Sequence, residues 1–339
     1  MSETSIKRIL IIQTAFIGDV ILSTVIIESL STKYAQAKLD MLVRKGNESL
    51  LAGHPKLNRV WVWDKGRKKT RNQIALIAEI RKQNYDVVIN LQRFLSSGLF
   101  TALSGGKITI GFDKNPISFS FNYRIKHEIK AGVHETERNL KLLEPLYAHP
   151  QGKMRLYPGR AAYDKVREYT NKAYLVIAAT SVWFTKQYPA NQWVDFINRI
   201  DERYTIYCIG AKNDKDEIDK IIRQSNSLKC INLSGQLSLL ESAALMDTAT
   251  MNYVNDSAPM HLASAMNAPV SAIYCSTVPA FGFGPKSDHS YIIETKENLS
   301  CRPCGLHGRK ACPEGHFNCA RTIKTEQLLF TLSDGERNK

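Results

Sequence analysis

Long hydrophobic runs are missing from this chain of 339 residues. No apolar stretch approaches the roughly 20 residues that cross a bilayer as a helix, so we expect no membrane span. The apolar start Ile9–Ile12 leads into polar Gln13 and Thr14 and is too short for the core of a secretory signal peptide. These two absences predict a cytoplasmic protein. The hydrophobic fraction of 43% is ample for two cores, and the length favours two domains.

Acidic residues are scarce: 32 Asp and Glu stand against 46 Lys and Arg, a net charge of +14. Such a balance implies an anionic partner, which is a nucleic acid, an acidic membrane surface or a phosphorylated substrate. The basic residues concentrate at Arg44, Lys45, Lys65, Arg67, Lys68, Lys69, Arg71, Arg81 and Lys82. No signature of a nucleic-acid-binding module accompanies them. A membrane face or a phosphorylated lipid acceptor is therefore favoured, with a solvated basic surface as the default alternative.

Low-complexity segments and short repeats are also absent, and strand-like runs alternate with helix-like runs instead. In the first half the strands are Ile9–Ile12, Leu39–Val43, Val60–Val62, Val87–Leu91 and Ile108–Ile110, and the helices are Val20–Lys33, Ile74–Lys82, Leu95–Leu103 and His134–Leu146. In the second half the strands are Tyr174–Ala178, Thr205–Ile209, Met251–Val254 and Val270–Tyr274, and the helices are 161–171, Trp193–Arg203, Lys215–Gln224, Leu237–Met246 and Pro259–Met266. This alternation predicts an α/β protein with two Rossmann-like, doubly wound domains. We place them at residues 1–155 and 160–322, followed by a tail at 323–339.

The most informative stretch is VNDSAPMHLASA at residues 254–265. A strand end runs directly into Ser257, a good N-cap, and Pro259 fits the first helical turn. The free N–H groups and the positive dipole of such a helix start suit a phosphate. His261 lies four residues after Ser257 and faces the same side, so the two suit a diphosphate held without a metal. The alternative is a capped helix with His261 packed at its start.

Two further positions follow predicted strands at their carboxyl ends, where open α/β sheets bind ligands. Asp19 comes after Ile9–Ile12 and next to Gly18, which allows a tight turn or a close backbone approach. Its alternative role is to complement a helix dipole. Lys186 lies in the loop Thr180–Pro189 after the first strand of the second half, where it would neutralise a phosphate as a point charge. Its alternative is an ordinary exposed lysine.

Four of the seven cysteines lie close together at the C-terminal end, at Cys301, Cys304, Cys312 and Cys319. The first pair has the Cys-x-x-Cys spacing of zinc ligands, but the later spacings differ from those of a standard zinc ribbon. Structural zinc, a redox-sensitive thiol set and plain packing are all open. The Asp214-Lys215-Asp216 triplet resembles a metal-binding DxD motif, but its charged surroundings favour an exposed helix start.

The FIGDVILS turn, the TSVWFTKQYP loop, the NDSAPMHLASAMNAPVSAIYCSTVP segment and the C-terminal cysteines resemble glycosyltransferase family 9. These are the heptosyltransferases that build the inner core of bacterial lipopolysaccharide. The resemblance covers nearly the whole chain in the right order. It implies a GT-B architecture, in which two Rossmann-like domains face each other across a cleft. The N-terminal domain would bind the acceptor and the C-terminal domain the nucleotide sugar, and a C-terminal helix that begins near Gln327–Leu332 would pack back on the first domain.

The resemblance also implies roles for individual residues. Asp19 matches the catalytic aspartate of an inverting, metal-independent transferase, and Lys186 matches the lysine that contacts the donor phosphate. Further donor-binding candidates are Thr180, Ser181, Asp256, Ser257, Ala258, His261, Gly210 and Leu237, of which Gly210 and Leu237 are positional guesses for the adenine pocket. Acceptor-binding candidates are Gly18, Arg44, Arg67 and Arg93.

The implied partners are ADP-heptose, a phosphorylated glycolipid acceptor and the cytoplasmic face of the inner membrane, with no nucleic acid and no cofactor beyond the zinc considered above. Three other functions are open. One is transfer from a different nucleotide sugar, and another is sugar-nucleotide epimerisation, although no additional acid–base constellation stands out for it. The third is a basic nucleic-acid-binding protein with a zinc-stabilised C-terminus.

Overall fold

The computed structural model describes residues 6–66 and 68–337. The chain divides into two compact units, Met1–Tyr157 and Pro158–Lys339. Each unit contains one six-stranded sheet in which every described strand pair is parallel. No helix of the described residues is long and apolar enough to cross a membrane.

The first unit begins with a strand that becomes the centre of its sheet. Its strands are β1 (Arg8–Ile12), β2 (Lys38–Arg44), β3 (Arg59–Trp63), β4 (Val87–Asn90), β5 (Ile108–Phe112) and β6 (Tyr123–Ile125). Its helices are α1 (Ile17–Lys33), α2 (Lys69–Arg81), α3 (Leu95–Leu103) and α4 (Glu135–Lys141). The strand order β3-β2-β1-β4-β5-β6 is that of a Rossmann fold, and its direction of winding reverses between β1 and β4.

The second unit repeats this plan. Its strands are β7 (Tyr174–Ala178), β8 (Thr205–Cys208), β9 (Cys230–Asn232), β10 (Met251–Asn255), β11 (Val270–Tyr274) and β12 (Ser290–Glu294). Its helices are α5 (Arg160–Val166), α6 (Ala190–Asn198), α7 (Lys215–Gln224), α8 (Leu239–Asp247), α9 (Ala258–Ala265), α10 (Asn318–Arg321) and α11 (Thr325–Arg337). The order β12-β11-β10-β7-β8-β9 reverses between β7 and β10.

The central strands are buried on both faces, which is why they appear in the sequence as continuous apolar runs. All five residues of β7, β10 and β11 are buried. The predicted α/β class with two doubly wound Rossmann-like units is confirmed. Three strands were missed, namely β6, β9 and β12. They lie at sheet edges and are mostly exposed or half-buried, so they lack the apolar run that marks a central strand.

Some helix boundaries were predicted wrongly. The single helix expected over His134–Leu146 ends at Lys141 as α4, and turns continue the chain to Leu146. The helix expected from Val20 begins three residues earlier, at Ile17. The tail around Gln327–Leu332 forms α11, which buries Leu328 and Leu332 in the core of the second unit. The Tyr253 hydroxyl donates to the Leu328 carbonyl at 3.1 Å.

Candidate active site

Asp19 lies in the first turn of α1, directly beyond the carboxyl end of β1. Phe16 is the N-cap residue of this helix, so Gly18 is its second residue and forms part of the helix rather than of the turn before it. Because α1 follows a strand at the reversal point of the sheet, Asp19 is placed where open α/β sheets bind ligands.

The Asp19 carboxyl group has an unusually high pKa. Burial is the main cause, the nearby Glu135 carboxylate adds to it, and together they raise the pKa from 3.8 to about 6. The backbone N–H groups of Phe16 and of Asp19 itself oppose the rise, as does the charge of Arg93. A carboxylate whose pKa is near the working pH is suited to general-base chemistry.

Two charged residues, Arg93 and Glu135, act on Asp19. Arg93 follows β4, on the other side of the sheet reversal, and its charge lowers the pKa values of both Asp19 and His127. Glu135 begins α4, which packs on α1. Its carboxylate accepts a hydrogen bond from Nε of buried Arg138 at 2.7 Å. Arg93 was predicted as an acceptor residue. Glu135 was missed because its place near Asp19 depends on tertiary packing, and Arg138 was missed with it.

A basic cluster lies near the same loop. Lys65 donates through Nζ to the Thr14 carbonyl at 2.8 Å. The pKa of Lys65 is lowered by burial and by the positive charges of Arg44 and Lys69. The three cations therefore lie close together. The guanidinium of Arg44 stacks 4.7 Å from the Phe16 ring centre. The fourth predicted acceptor residue, Arg67, lies outside the described residues. Lys65 and Lys69 belong to the basic run noted in the sequence but were not selected there.

The second unit brings Lys186 and Asp256 together. Lys186 ends a short 3₁₀ turn after β7, and Asp256 follows β10 directly, so the two flank the reversal point of this sheet. Their side chains form an ion pair with Nζ and Oδ2 2.7 Å apart, and both are largely buried. The Thr277 hydroxyl also donates to Asp256 Oδ2, at 2.6 Å. Asp256 therefore fixes the position of the Lys186 side chain, and Thr277 in turn fixes Asp256.

His261 lies in the first half of α9 and is buried. Burial lowers its pKa from 6.5 to about 4, despite the attraction of the Asp256 charge, so the ring is neutral at pH 7. Among the described residues, no partner binds its buried Nδ1. Ser257 occupies the N-cap position as predicted, but its hydroxyl makes no capping bond and instead donates to the Asn255 carbonyl at 3.3 Å. The N–H groups that open α9 at Ala258 are thus not capped by this side chain.

The other donor-binding candidates occupy the same carboxyl edge of the second sheet. Thr180 and Ser181 follow β7 and are half-buried. The Ser181 carbonyl accepts from Nε2 of Gln187 at 2.6 Å. Gly210 follows β8, and its carbonyl accepts from the Gly235 N–H at 2.9 Å. Leu237 is half-buried before α8. The Asp214–Asp216 triplet starts α7 with Lys215 and Asp216 exposed, as expected.

The cysteine segment contains four free thiols, those of Cys301, Cys304, Cys312 and Cys319. Cys301 Sγ and His316 Nε2 are 4.0 Å apart. Within residues 6–66 and 68–337, no group of three or more His, Cys, Asp or Glu side chains is arranged to hold a metal ion. The residue types suit zinc ligands, and structural zinc stays a prediction.

Comparison with known proteins gives a consistent result. The profile described as glycosyltransferase family 9 (heptosyltransferase) matches residues 73–313. Lipopolysaccharide heptosyltransferase 3 of Escherichia coli is 28% identical over 287 residues, which cover 78% of this chain and 81% of that protein.

Two solved structures share the fold over almost the whole chain. A family 9 glycosyl transferase from Veillonella parvula has a TM-score of 0.87 at 20% identity and covers 98% of both chains. An E. coli heptosyltransferase solved with ADP-2-deoxy-2-fluoro heptose has a TM-score of 0.75 at 20% identity, covering 96% of this chain and 99% of that one. These likenesses identify the fold class as GT-B. Because the family profile spans well over half of the sequence, the chain belongs to glycosyltransferase family 9 and is a glycosyltransferase.

Proposed function

We propose that this enzyme transfers a heptose from ADP-heptose to an inner-core acceptor of lipopolysaccharide, with inversion at the sugar and without a metal. The single observation that supports this most strongly is the Asp19 carboxylate at the sheet reversal, whose pKa is raised to about 6. Its surroundings suit a base that takes a proton from a hydroxyl group near neutral pH.

The proposed reaction is one displacement. The acceptor hydroxyl oxygen forms a bond to the anomeric carbon and gives its proton to Asp19, while the bond between that carbon and the diphosphate oxygen breaks. The leaving ADP gains negative charge in the transition state. Lys186 and the N–H groups that open α9 near Ser257 and Ala258 would stabilise that charge, as preorganised positive groups do. His261, neutral at pH 7, would contribute a hydrogen bond rather than a charge.

In this proposal the first unit takes the acceptor and the second unit takes the donor. Gly18, Arg44, Arg67 and Arg93 remain the proposed acceptor-binding residues, and the cluster of Lys65 with Lys69 is added to them. An acceptor that carries phosphate groups would be attracted by these cations. Thr180, Ser181, Gly210 and Leu237 remain proposed donor-binding residues.

ADP-heptose is proposed as the donor because the curated relative carries the name of a heptosyltransferase and the solved neighbour holds a fluoro analogue of that sugar nucleotide. Calorimetric titration with ADP, UDP, ADP-heptose and a short duplex DNA tests this assignment. We expect micromolar binding of ADP and ADP-heptose only. Preference for UDP would refute heptose transfer, and binding of DNA alone would refute the proposed function.

A turnover assay with ADP-heptose and a lipopolysaccharide acceptor completes the test. Asp19→Ala is expected to abolish transfer while ADP binding stays close to that of the wild type, because Asp19 acts on the acceptor. Chelator treatment is expected to leave the rate unchanged. Normal turnover by the variant would refute the role of Asp19.

We also propose peripheral contact of the first unit with the cytoplasmic face of the inner membrane. Three phenylalanines beyond β1, β4 and β5 are largely exposed: Phe16 (69%), Phe94 (65%) and Phe119 (75%). The Phe16 ring lies against Arg44 of the basic cluster, and exposed apolar side chains together with basic residues suit an anionic lipid surface. Sedimentation with anionic vesicles at low salt should retain the protein. Phe94→Ser with Phe119→Ser should weaken retention, whereas Leu228→Ser, at an exposed site of the second unit, should not; equal retention of all three proteins would refute the contact.

A further inference from the structure

Thr185, the residue before Lys186, uses every polar group it has. Its N–H donates to the Arg309 carbonyl at 3.1 Å, and its carbonyl accepts from the Ser276 N–H at 3.2 Å. Its hydroxyl oxygen lies 2.8 Å from the Arg309 N–H and 3.0 Å from the Ser276 hydroxyl, both of which donate to it. The side chain is buried. The backbone just before Lys186, the lysine proposed to contact the donor phosphates, is therefore fixed by two segments that are distant in sequence.

Gly308 adds a packing contact to these hydrogen bonds. It is buried, and a Cβ atom built on it would lie 2.4 Å from Trp183 Cβ and 2.9 Å from Lys186 Cγ. Real side chains do not approach so closely. Only a residue without a Cβ atom lets the chain at 308 lie directly on the Lys186 side chain.

The same segment also reaches the other member of the ion pair. The Arg302 guanidinium donates to the carbonyls of Cys275 at 2.7 Å and Thr277 at 2.9 Å and pairs with Glu294 at 2.6 Å. The Thr277 hydroxyl in turn donates to Asp256. Arg302 thus fixes the chain just after β11, where Thr277 contacts Asp256. In the same way, Arg309 fixes the turn that contains Lys186.

We propose that residues 302–309, which we call the brace segment, position the Lys186–Asp256 pair for a diphosphate without contacting the ligand themselves. The inference rests on the proposed function, since it takes Lys186 as the cation that receives the donor phosphates. A lysine has a long flexible side chain, and fixing it before binding lowers the entropy that the ligand must overcome. The brace segment supplies this fixation from two sides.

Gly308→Ala tests the packing contact. Titration with ADP should show affinity about tenfold weaker than that of the wild type, a change of about 1.4 kcal/mol. Gly159→Ala is the matched control, because no atom lies within 4 Å of a Cβ built there, and it should bind as the wild type does. Adenosine, which lacks phosphates, should bind both variants equally.

A double-mutant cycle separates positioning from general damage. Lys186→Ala alone should weaken ADP binding by about tenfold or more. Adding Gly308→Ala to it should change affinity by less than about twofold, since the lysine that the brace segment positions is gone. A full additional loss would mean that the substitution damages the site in another way, and would overturn the proposal.

Thr185→Val and Thr185→Ser provide an independent pair. Valine removes the hydroxyl that accepts from Arg309 and should weaken ADP binding, whereas serine keeps it and should restore most of the affinity. If the wild type binds ADP but Gly308→Ala and Thr185→Val bind it equally well, the positioning role alone is refuted. If the wild type binds no nucleotide at all, the proposed function is refuted and the positioning role falls with it.

Discussion

Replacing Asp19 by asparagine should abolish turnover and, at pH 7, stabilise the fold. The carboxylate has a folded pKa of about 6 against 3.8 for an unperturbed aspartate. The folded state therefore holds a proton more tightly than the unfolded state. Asp19 therefore stabilises the native state fully at pH values below its unfolded pKa of 3.8. This stabilisation is lost as pH rises from 3.8 to about 6.

The size of the effect follows from the pKa difference. A shift of about two units corresponds to at most about 3 kcal/mol, at 1.36 kcal/mol per unit. Ionised Asp19 thus destabilises the native state by up to about this amount at pH 7, and by only a few tenths of a kcal/mol near pH 4. Asparagine is nearly isosteric and carries no charge, so the variant avoids the penalty while losing the proposed base.

Denaturant titration of wild type and Asp19→Asn at pH 7 and at pH 4, followed by tryptophan fluorescence, checks this expectation; Trp61 and Trp63 lie in the first unit. The stabilisation should be about 2 kcal/mol larger at pH 7 than at pH 4. Asp19→Glu is the matched control, since it keeps an ionisable acid. An Asn variant that is no more stable at pH 7, or one that still turns over, would refute the proposed role of Asp19 as a base with a raised pKa.

Three further outcomes follow from the same electrostatics. Glu135→Gln removes a negative charge near Asp19, so it should lower the Asp19 pKa and move the acidic limb of the pH profile of kcat to lower pH. Arg93→Gln removes a positive charge and should move that limb to higher pH. Shifts in the same direction would contradict the causes given above for the Asp19 pKa. Lys186→Ala should lower kcat as well as donor affinity, because charge on the leaving group grows in the transition state, and a change in affinity alone would count against that role. The wild type should lose stability as pH falls from 6.5 to about 4, because the buried ring of His261 resists protonation, and the loss should be about 3 kcal/mol. His261→Gln should remove this loss. Identical pH dependence of unfolding in both proteins would show that the buried ring is not neutral.

The sequence predicted the central parts of both sheets well, for a physical reason. A parallel strand covered on both faces must be apolar throughout, so β7 and β11 were recognised with their observed bounds. The edge strands β6 and β12 carry exposed positions and gave no such signal. Helix starts were harder, because α1 begins at Ile17 with no side-chain cap on Phe16.

The positions of the candidate site residues next to strand ends could be predicted, because backbone topology alone places them there; their roles stay a prediction. Lys186 and Asp256 each follow a strand beside the sheet reversal, so their positions could be predicted, but their pairing at 2.7 Å could not. Glu135 and Arg302 were not found. Each acts on a residue far away in sequence, Asp19 and Thr277 respectively, and no local pattern marks such a contact.

The ion pair also resolves an apparent conflict in the proposed donor site, which has an acid beside the place intended for a diphosphate. Asp256 accepts from Lys186 and from Thr277, so its charge is already compensated. A mobile lysine would lose more conformational entropy on binding a ligand. A carboxylate at this position holds the lysine side chain in place through the ion pair. The acid therefore pairs with the lysine, and in the proposed donor site it need not repel the ligand even though it lies beside the helix start proposed to bind the diphosphate.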